Sequence, residues 1–296
     1  MNKKYPYGKG DGIVQWVSTE WLEDHLTEKD LVILDCQPNV HEYIQDHIPG
    51  ALYVPEGLFR IHAGRHPSRW IPESAMQILL STLGLEPGKP VVVYSGSGPL
   101  TTCASFIGDG LEQTMLAYTL ARYGHRRVYV LDGGFEKWKE EKRPMTREFG
   151  TAALSSFTAD LKKDFFMSYD ELIRVKDTPG VLLIDARPAP VYEGQGPWIK
   201  PGHIPGAVSL PWKSLMDEKN KKLLKPDDQI HTLVKAAGIS PDKTIICSCG
   251  TGREATNEFI LFKWYLGYPN VVLYEGGFTE WTSYAENPVV TGKNPR

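Results

Sequence analysis

Cys249 opens the run Cys249, Gly250, Thr251, Gly252, Arg253, Glu254, directly after the apolar stretch 244–247 and ahead of a helical segment. A cysteine so placed lies at the carboxyl end of a strand, where open α/β sheets hold their ligands. Gly250 and Gly252 let the loop curl until backbone N–H groups converge on one point, and the helix that follows adds its positive end. Such surroundings stabilise a thiolate, or the persulfide anion made from it. Arg253 adds a positive charge, and Glu254 opposes it slightly. The competing reading is a buried, inert cysteine that closes a strand.

The positioning elements recur along the chain. Residues 31–37 (LVILDCQ), 46–51 (DHIPGA), 91–98 (VVVYSGSG) and 131–138 (LDGGFEKW) are matched in order by 181–187 (VLLIDAR), 202–207 (GHIPGA), 244–252 (TIICSCGTG) and 274–281 (YEGGFTEW). A series repeated in order is the signature of a duplicated unit. The offset runs from 150 (Asp35 to Asp185) through 156 (His47 to His203) and 154 (Ser95 to Cys249) to 143 (Trp138 to Trp281). The spacing predicts added length before GHIPGA in the second copy, and added helix-like sequence at 108–118 in the first. The short β-branched runs LVIL, VVVY, VYVL, VLLI, TIIC and VVLY read as strands buried on both faces of a parallel sheet. Ser18 and Ser168 read as helix N-caps, the latter in a capping box with Glu171, and Gly267 closes the helical segment after the Cys249 loop. The polar stretch 143–163 lacks a core pattern and reads as a linker. These observations divide the chain into 1–145, a linker at 146–165, and 166–296.

The tandem D-x-R, H-I-P-G-A, Cys-loop and G-G-F-x-x-W series resembles the rhodanese family of thiosulfate and 3-mercaptopyruvate sulfurtransferases over roughly residues 15–285. The resemblance implies two rhodanese-like α/β domains, each a small, mainly parallel sheet with helices on both faces. It implies Cys249 as catalytic residue and an inactive first copy, because Ser95 stands where the second copy has Cys249. The implied chemistry is double displacement through a Cys249 persulfide, with loop amides holding its charge, and no metal or organic cofactor. The implied partners are a small sulfur-containing anion as donor and cyanide, a thiol or a protein thiol as acceptor. Gly250, Thr251, Gly252, Arg253, Glu254, Arg187, Trp198 and Trp212 form the expected substrate-binding set, with the two tryptophans on the cleft rim. Asp185 is the expected structural support, and Arg187 reads either as an anion ligand or as its ion-pair partner. Active members often carry an arginine just before the aromatic that follows D-x-R, whereas Val191 precedes Tyr192 here. Arg253 is the candidate replacement, the alternative being a side chain turned to solvent. The loop CGTG matches the mercaptopyruvate type at its first four positions and neither type at its last two, leaving the donor open.

Other residues carry two readings. Cys247 is a resolving thiol or, since its counterpart is Val93, a packing residue. Cys36 and Cys103 read as packing residues. His47 and His203 read as general bases or as turn-stabilising hydrogen-bond partners, while Trp138 and Trp281, at helical spacing from Phe135 and Phe278, read as core anchors. A phosphatase loop requires C-x5-R, but the residue six after Cys249 is Ala255. The non-enzymatic alternative is a persulfide carrier serving protein partners. Lys+Arg 33 against Asp+Glu 36, with no block of like charge, disfavours nucleic acid and anionic membranes as partners. Four cysteines in 296 residues do not make a disulfide framework. With no apolar stretch of about 18 residues, they point to the cytoplasm, or to the periplasm if a signal peptide has been removed. Gly 28 and Pro 22 together exceed average usage, which predicts many tight turns.

Overall fold

The computed structural model describes residues 4–64, 66–96 and 108–296. Its strands are β1 (Val14–Val17), β2 (Val32–Asp35), β3 (Leu52–Tyr53), β4 (Arg60–Ala63), β5 (His66–Trp70), β6 (Val91–Tyr94), β7 (Val128–Leu131), β8 (Phe166–Met167), β9 (Val181–Asp185), β10 (Val208–Ser209), β11 (Thr244–Ser248) and β12 (Val271–Tyr274). Two five-stranded parallel sheets form, in the orders β3-β2-β6-β7-β1 and β10-β9-β11-β12-β8, so each copy repeats the other's topology. All six expected runs are strands.

Both faces of each sheet are covered, as the continuous apolar runs require. The α-helices are α1 (Thr19–His25), α2 (Val40–Gln45), α3 (Glu73–Thr82), α4 (Leu111–Arg122), α5 (Gly134–Glu140), α6 (Tyr169–Val175), α7 (Ala189–Glu193), α8 (Asp227–Ala236), α9 (Glu254–Ile260) and α10 (Gly277–Ser283). In β6, Val91 and Val93 pack with α3 and α4. Val92 and Tyr94 face the other way, toward Leu22, Tyr43 and Trp138. In β11, Ile245 and Cys247 pack with Ile230, Val234 and Phe259, while Ile246 meets Leu172, Tyr192 and Trp281. Ser18 caps its helix through Trp21 N–H, and Ser168 forms the full capping box with Glu171. Trp138 and Trp281 are buried anchors whose indole N–H groups donate to Pro144 O and Pro288 O, each at 2.8 Å. His47 and His203 are fully buried and tie turns together. Each ring nitrogen faces a backbone carbonyl: Tyr43 O and Glu148 O for His47, Tyr192 O and Asn294 O for His203.

Two expectations need correction. Leu111 and Glu254, the first residues of α4 and of helix α9 (Glu254–Ile260), are 143 positions apart, the same offset as the tryptophans. The first copy's extra length therefore lies between Ser95 and α4, and residues 108–118 mostly belong to the repeated helix. The stretch 143–163 is not free of core residues, because Phe157 is buried. Its backbone is also tied down, with Asp160 N donating to Tyr123 O and Lys162 N to Arg122 O. Cys103 lies outside the described residues. Among the described residues no helix is long and apolar enough to cross a membrane.

The halves share one continuous apolar core through α4 and α9, where Tyr118 meets Phe259 edge-on at 5.0 Å. Each half also reaches across onto the other. The antiparallel β4–β5 hairpin of the first half lies on the Cys249 loop, with Arg60 Nη2 donating to Thr251 O. In return, residues 216–224 of the second half lie on the Ser95 side: Gly133 N donates to Lys222 O at 3.0 Å, and Leu224 N to Asp132 Oδ1 at 3.1 Å.

Candidate active site

Cys249 follows β11 directly, and its loop is held from outside by the G-G-F turn. Phe278 N donates to Cys249 O at 2.7 Å and Thr279 N to Gly250 O at 3.0 Å. Only glycine fits at 277, where φ is +58° and a Cβ would stand 2.7 Å from Cys249 O. With these carbonyls drawn outward, amides turn inward. Gly252 N lies 3.1 Å from Cys249 Sγ, and the Thr251 and Ala255 amides also donate to the sulfur. The convergence anticipated from the two glycines is present.

The charge state differs from expectation. Cys249 is fully buried, and burial pushes its thiol well above the usual range. Glu254 raises it further, because its carboxylate lies beside the sulfur and accepts its hydrogen bond. The amides pull the other way but do not prevail. The covered site therefore favours the thiol over the thiolate, with Glu254 accepting its hydrogen bond.

The remaining expected residues divide into those the fold gathers and those it sends elsewhere. Trp198 is half-buried against the loop: a Cβ on Gly250 would be 2.8 Å from its ring, and its Nε1 donates to Thr279 Oγ1 at 2.9 Å. Arg187 is fully buried and paired with Asp185, Nη2 to Oδ2 at 2.6 Å and Nε to Oδ1 at 2.9 Å. Its guanidinium packs on Trp198 and Phe278, and Nη1 has no hydrogen-bond partner among the described residues. Trp212 is not on a rim. It is 2% exposed in the shared core, because a 3-10 turn, Trp212–Leu215, begins there and its N–H is drawn inward to Ala186 O. Arg253 neither clamps the loop nor points to solvent. It turns into the first half, with Nε 2.7 Å from Glu56 Oε1, Nη1 2.8 Å from Asp109 Oδ2 and Nη2 3.2 Å from Glu112 Oε1. Burial works against its charge, but the three carboxylates outweigh that and hold it firmly protonated.

A model of the rhodanese-like domain matches residues 18–141 and again 168–284. The chain belongs to the rhodanese family. A putative thiosulfate sulfurtransferase of Synechococcus elongatus is 33% identical over 288 residues, spanning 94% of this chain and 86% of that protein. The sulfur carrier protein TtuD of Thermus thermophilus is 26% identical over 94% of this chain and 96% of its own length. The 3-mercaptopyruvate sulfurtransferase of Escherichia coli is 27% identical over 93% and 97% respectively. Among solved structures, wild-type EanB shares the fold with a TM-score of 0.83 at 21% identity, over 94% of this chain and 69% of that one.

The first rhodanese repeat holds Ser95 from outside by the same kind of turn that holds Cys249. Phe135 N donates to Ser95 O at 2.9 Å, and Gly134, φ +58°, sits against that carbonyl as Gly277 does against Cys249 O. Gln37 takes the place of Arg187 and bonds Asp35. Cys36 and Cys247 are buried in the shared core, as packing residues are.

Sequence reasoning missed Arg60. Its guanidinium reaches the loop at Thr251 O and lies over Trp70 at 4.7 Å. Burial lowers its pKa while Cys249 and Glu56 act to raise it. The available signal is compositional: residues 60–70 hold Arg60, Arg65 and Arg69 together with His62 and His66, five basic side chains in eleven positions.

Proposed function

We propose that this rhodanese moves a sulfane sulfur from thiosulfate, or from the related donor 3-mercaptopyruvate, to a thiophilic acceptor through a persulfide on Cys249. The observation that carries the reading is the set of three amides aimed at one cysteine sulfur with a carboxylate beside it. The S. elongatus and E. coli relatives, named for the two donors, support the class.

When donor enters, Glu254 takes the thiol proton and the thiolate attacks the outer sulfur of thiosulfate. The S–S bond of the donor breaks and its electron pair leaves with sulfite. The outer sulfur stays on the enzyme as Cys249–S–S⁻, and the Thr251, Gly252 and Ala255 amides hold the negative charge. In the second displacement, cyanide or a thiolate bonds the outer sulfur and the electron pair of the enzyme's S–S bond returns to Cys249. With 3-mercaptopyruvate a C–S bond breaks instead, and the carbon takes a proton to leave pyruvate. Every step moves electron pairs at sulfur, so the cycle needs neither metal nor organic cofactor. Cys249 is fully covered, so the donor reaches it only when Trp198 or the β4–β5 hairpin moves aside.

Intact-mass measurement after incubation with each donor tests this. Wild type gains one sulfur atom, Cys249→Ser gains none, and Ser95→Ala turns over as wild type does. No gain in wild type, or an equal gain in Cys249→Ser, refutes the assignment. A gain only from a persulfidated protein moves the reading to a carrier, as the T. thermophilus relative is named.

A further inference from the structure

We propose that Arg60, contributed by the first half, is an anion-binding residue of the Cys249 site and selects negatively charged donors. The inference rests on the sulfurtransferase reading above and names a residue outside the second repeat. The second repeat lacks the arginine its family pattern would put before Tyr192, where Val191 stands. It also directs its only loop arginine, Arg253, away to Glu56, Asp109 and Glu112. A buried sulfur that must accept an anionic donor, and then carry charge itself, needs a cation nearby.

Arg60 meets the geometric requirements. Its Nη2 donates to Thr251 O, two residues from the nucleophile, and to Ser68 O at 2.8 Å, which fixes the guanidinium on the loop. The Trp70 ring supports it from the other side. Its Nε–H is buried with no hydrogen-bond partner among the described residues, as is Nη1 of Arg187, whose Cδ lies 3.8 Å from where a Gly250 Cβ would stand. Thus the loop has arginines from different halves beside it, Arg60 at Thr251 and Arg187 with its Cδ near Gly250, each holding one unused donor among the described residues. An unmade hydrogen bond of this kind is costly unless a ligand completes it. The chemical class that fits is a small anion with a sulfonate or carboxylate oxygen beside its transferable sulfur.

The test compares alkylation of Cys249 by anionic iodoacetate and neutral iodoacetamide in the full chain, read by peptide mass spectrometry. A single charge-assisted hydrogen bond corresponds to roughly a 10- to 100-fold preference. In Arg60→Gln the iodoacetate-to-iodoacetamide rate ratio falls by about that factor, and KM for thiosulfate rises in parallel while kcat changes less. Arg60→Lys, which keeps the charge but has no Nε–H, gives an intermediate ratio and serves if Arg60→Gln does not fold. A ratio equal to wild type in these variants, or a fall in both alkylation rates together, overturns the proposal and leaves Arg60 as a support for the loop. A wild type that shows the preference but takes no sulfur from either donor refutes the sulfurtransferase reading and not the anion site.

Discussion

Arg253→Gln removes one cation from a cluster of three carboxylates at the junction of the halves. Glu112 is 3% exposed, and Arg253, Glu56 and Asp109 are about a fifth exposed. Breaking a buried ion pair costs about 3–5 kcal/mol, and the partial exposure places the cluster near the lower end, about 3 kcal/mol. Spread over the unfolding entropy of 296 residues, that is a fall of about 5 °C in Tm. The sign of the pH dependence follows from Glu112. Burial, then Asp109, already holds its pKa above the usual value, with Arg253 acting against them. Without Arg253 it rises further. A carboxyl whose folded pKa exceeds its unfolded one opposes folding once ionised, and that penalty fades as pH falls through the folded pKa. The deficit of Arg253→Gln is therefore largest at alkaline pH and shrinks toward acid pH, as Glu112 takes up its proton. Thermal melts of variant and wild type across that range measure it. A deficit that stays constant with pH would falsify the electrostatic account and leave lost packing as the cause.

Two further outcomes follow from single residues. Gly277→Ala lowers turnover at least about tenfold, because the left-handed backbone costs about 1–2 kcal/mol and the new Cβ meets the Cys249 and Gly250 carbonyls. Gly292→Ala, equally left-handed with nothing within 4 Å, leaves turnover unchanged, and equal losses at both positions would remove the argument from crowding. His125 has its pKa lowered to about 4 by burial and then by Arg126. Its stabilising neutral form is fully favoured above the unfolded pKa of about 6.5, and stability falls as pH drops from there toward about 4, by roughly 3 kcal/mol in total. His125→Asn flattens that part of the acid unfolding curve, and an unaltered slope counts against the assignment.

Features that depend on nearby residues were legible in the sequence. Runs such as VVVY and TIIC are strands because β-branched residues with no polar face suit a sheet covered on both sides. The Ser168 cap and the curl at Cys249 depend on contacts a few residues away. Arg253, Arg60 and Trp212 were not legible, because packing of one copy against the other decides their environment. Arg253 finds its carboxylates 141 to 197 residues back in the chain, and Arg60 reaches Thr251 across 191. No periodicity within a single repeat encodes such pairs. The raised thiol of Cys249 escaped notice for a related reason: the loop amides are local, whereas complete burial is a property of the assembled halves.

The hairpin that the first half lays over the Cys249 loop also bears on oxidation. An exposed thiol beside a proton acceptor is open to peroxide and to disulfide exchange whenever it ionises. Here the cover excludes oxidants from the sulfur and keeps it protonated until the cover opens. The half that has Ser95 at the matching position thus shields its neighbour's loop cysteine. Any movement that admits a donor to the buried sulfur also exposes it to oxidants.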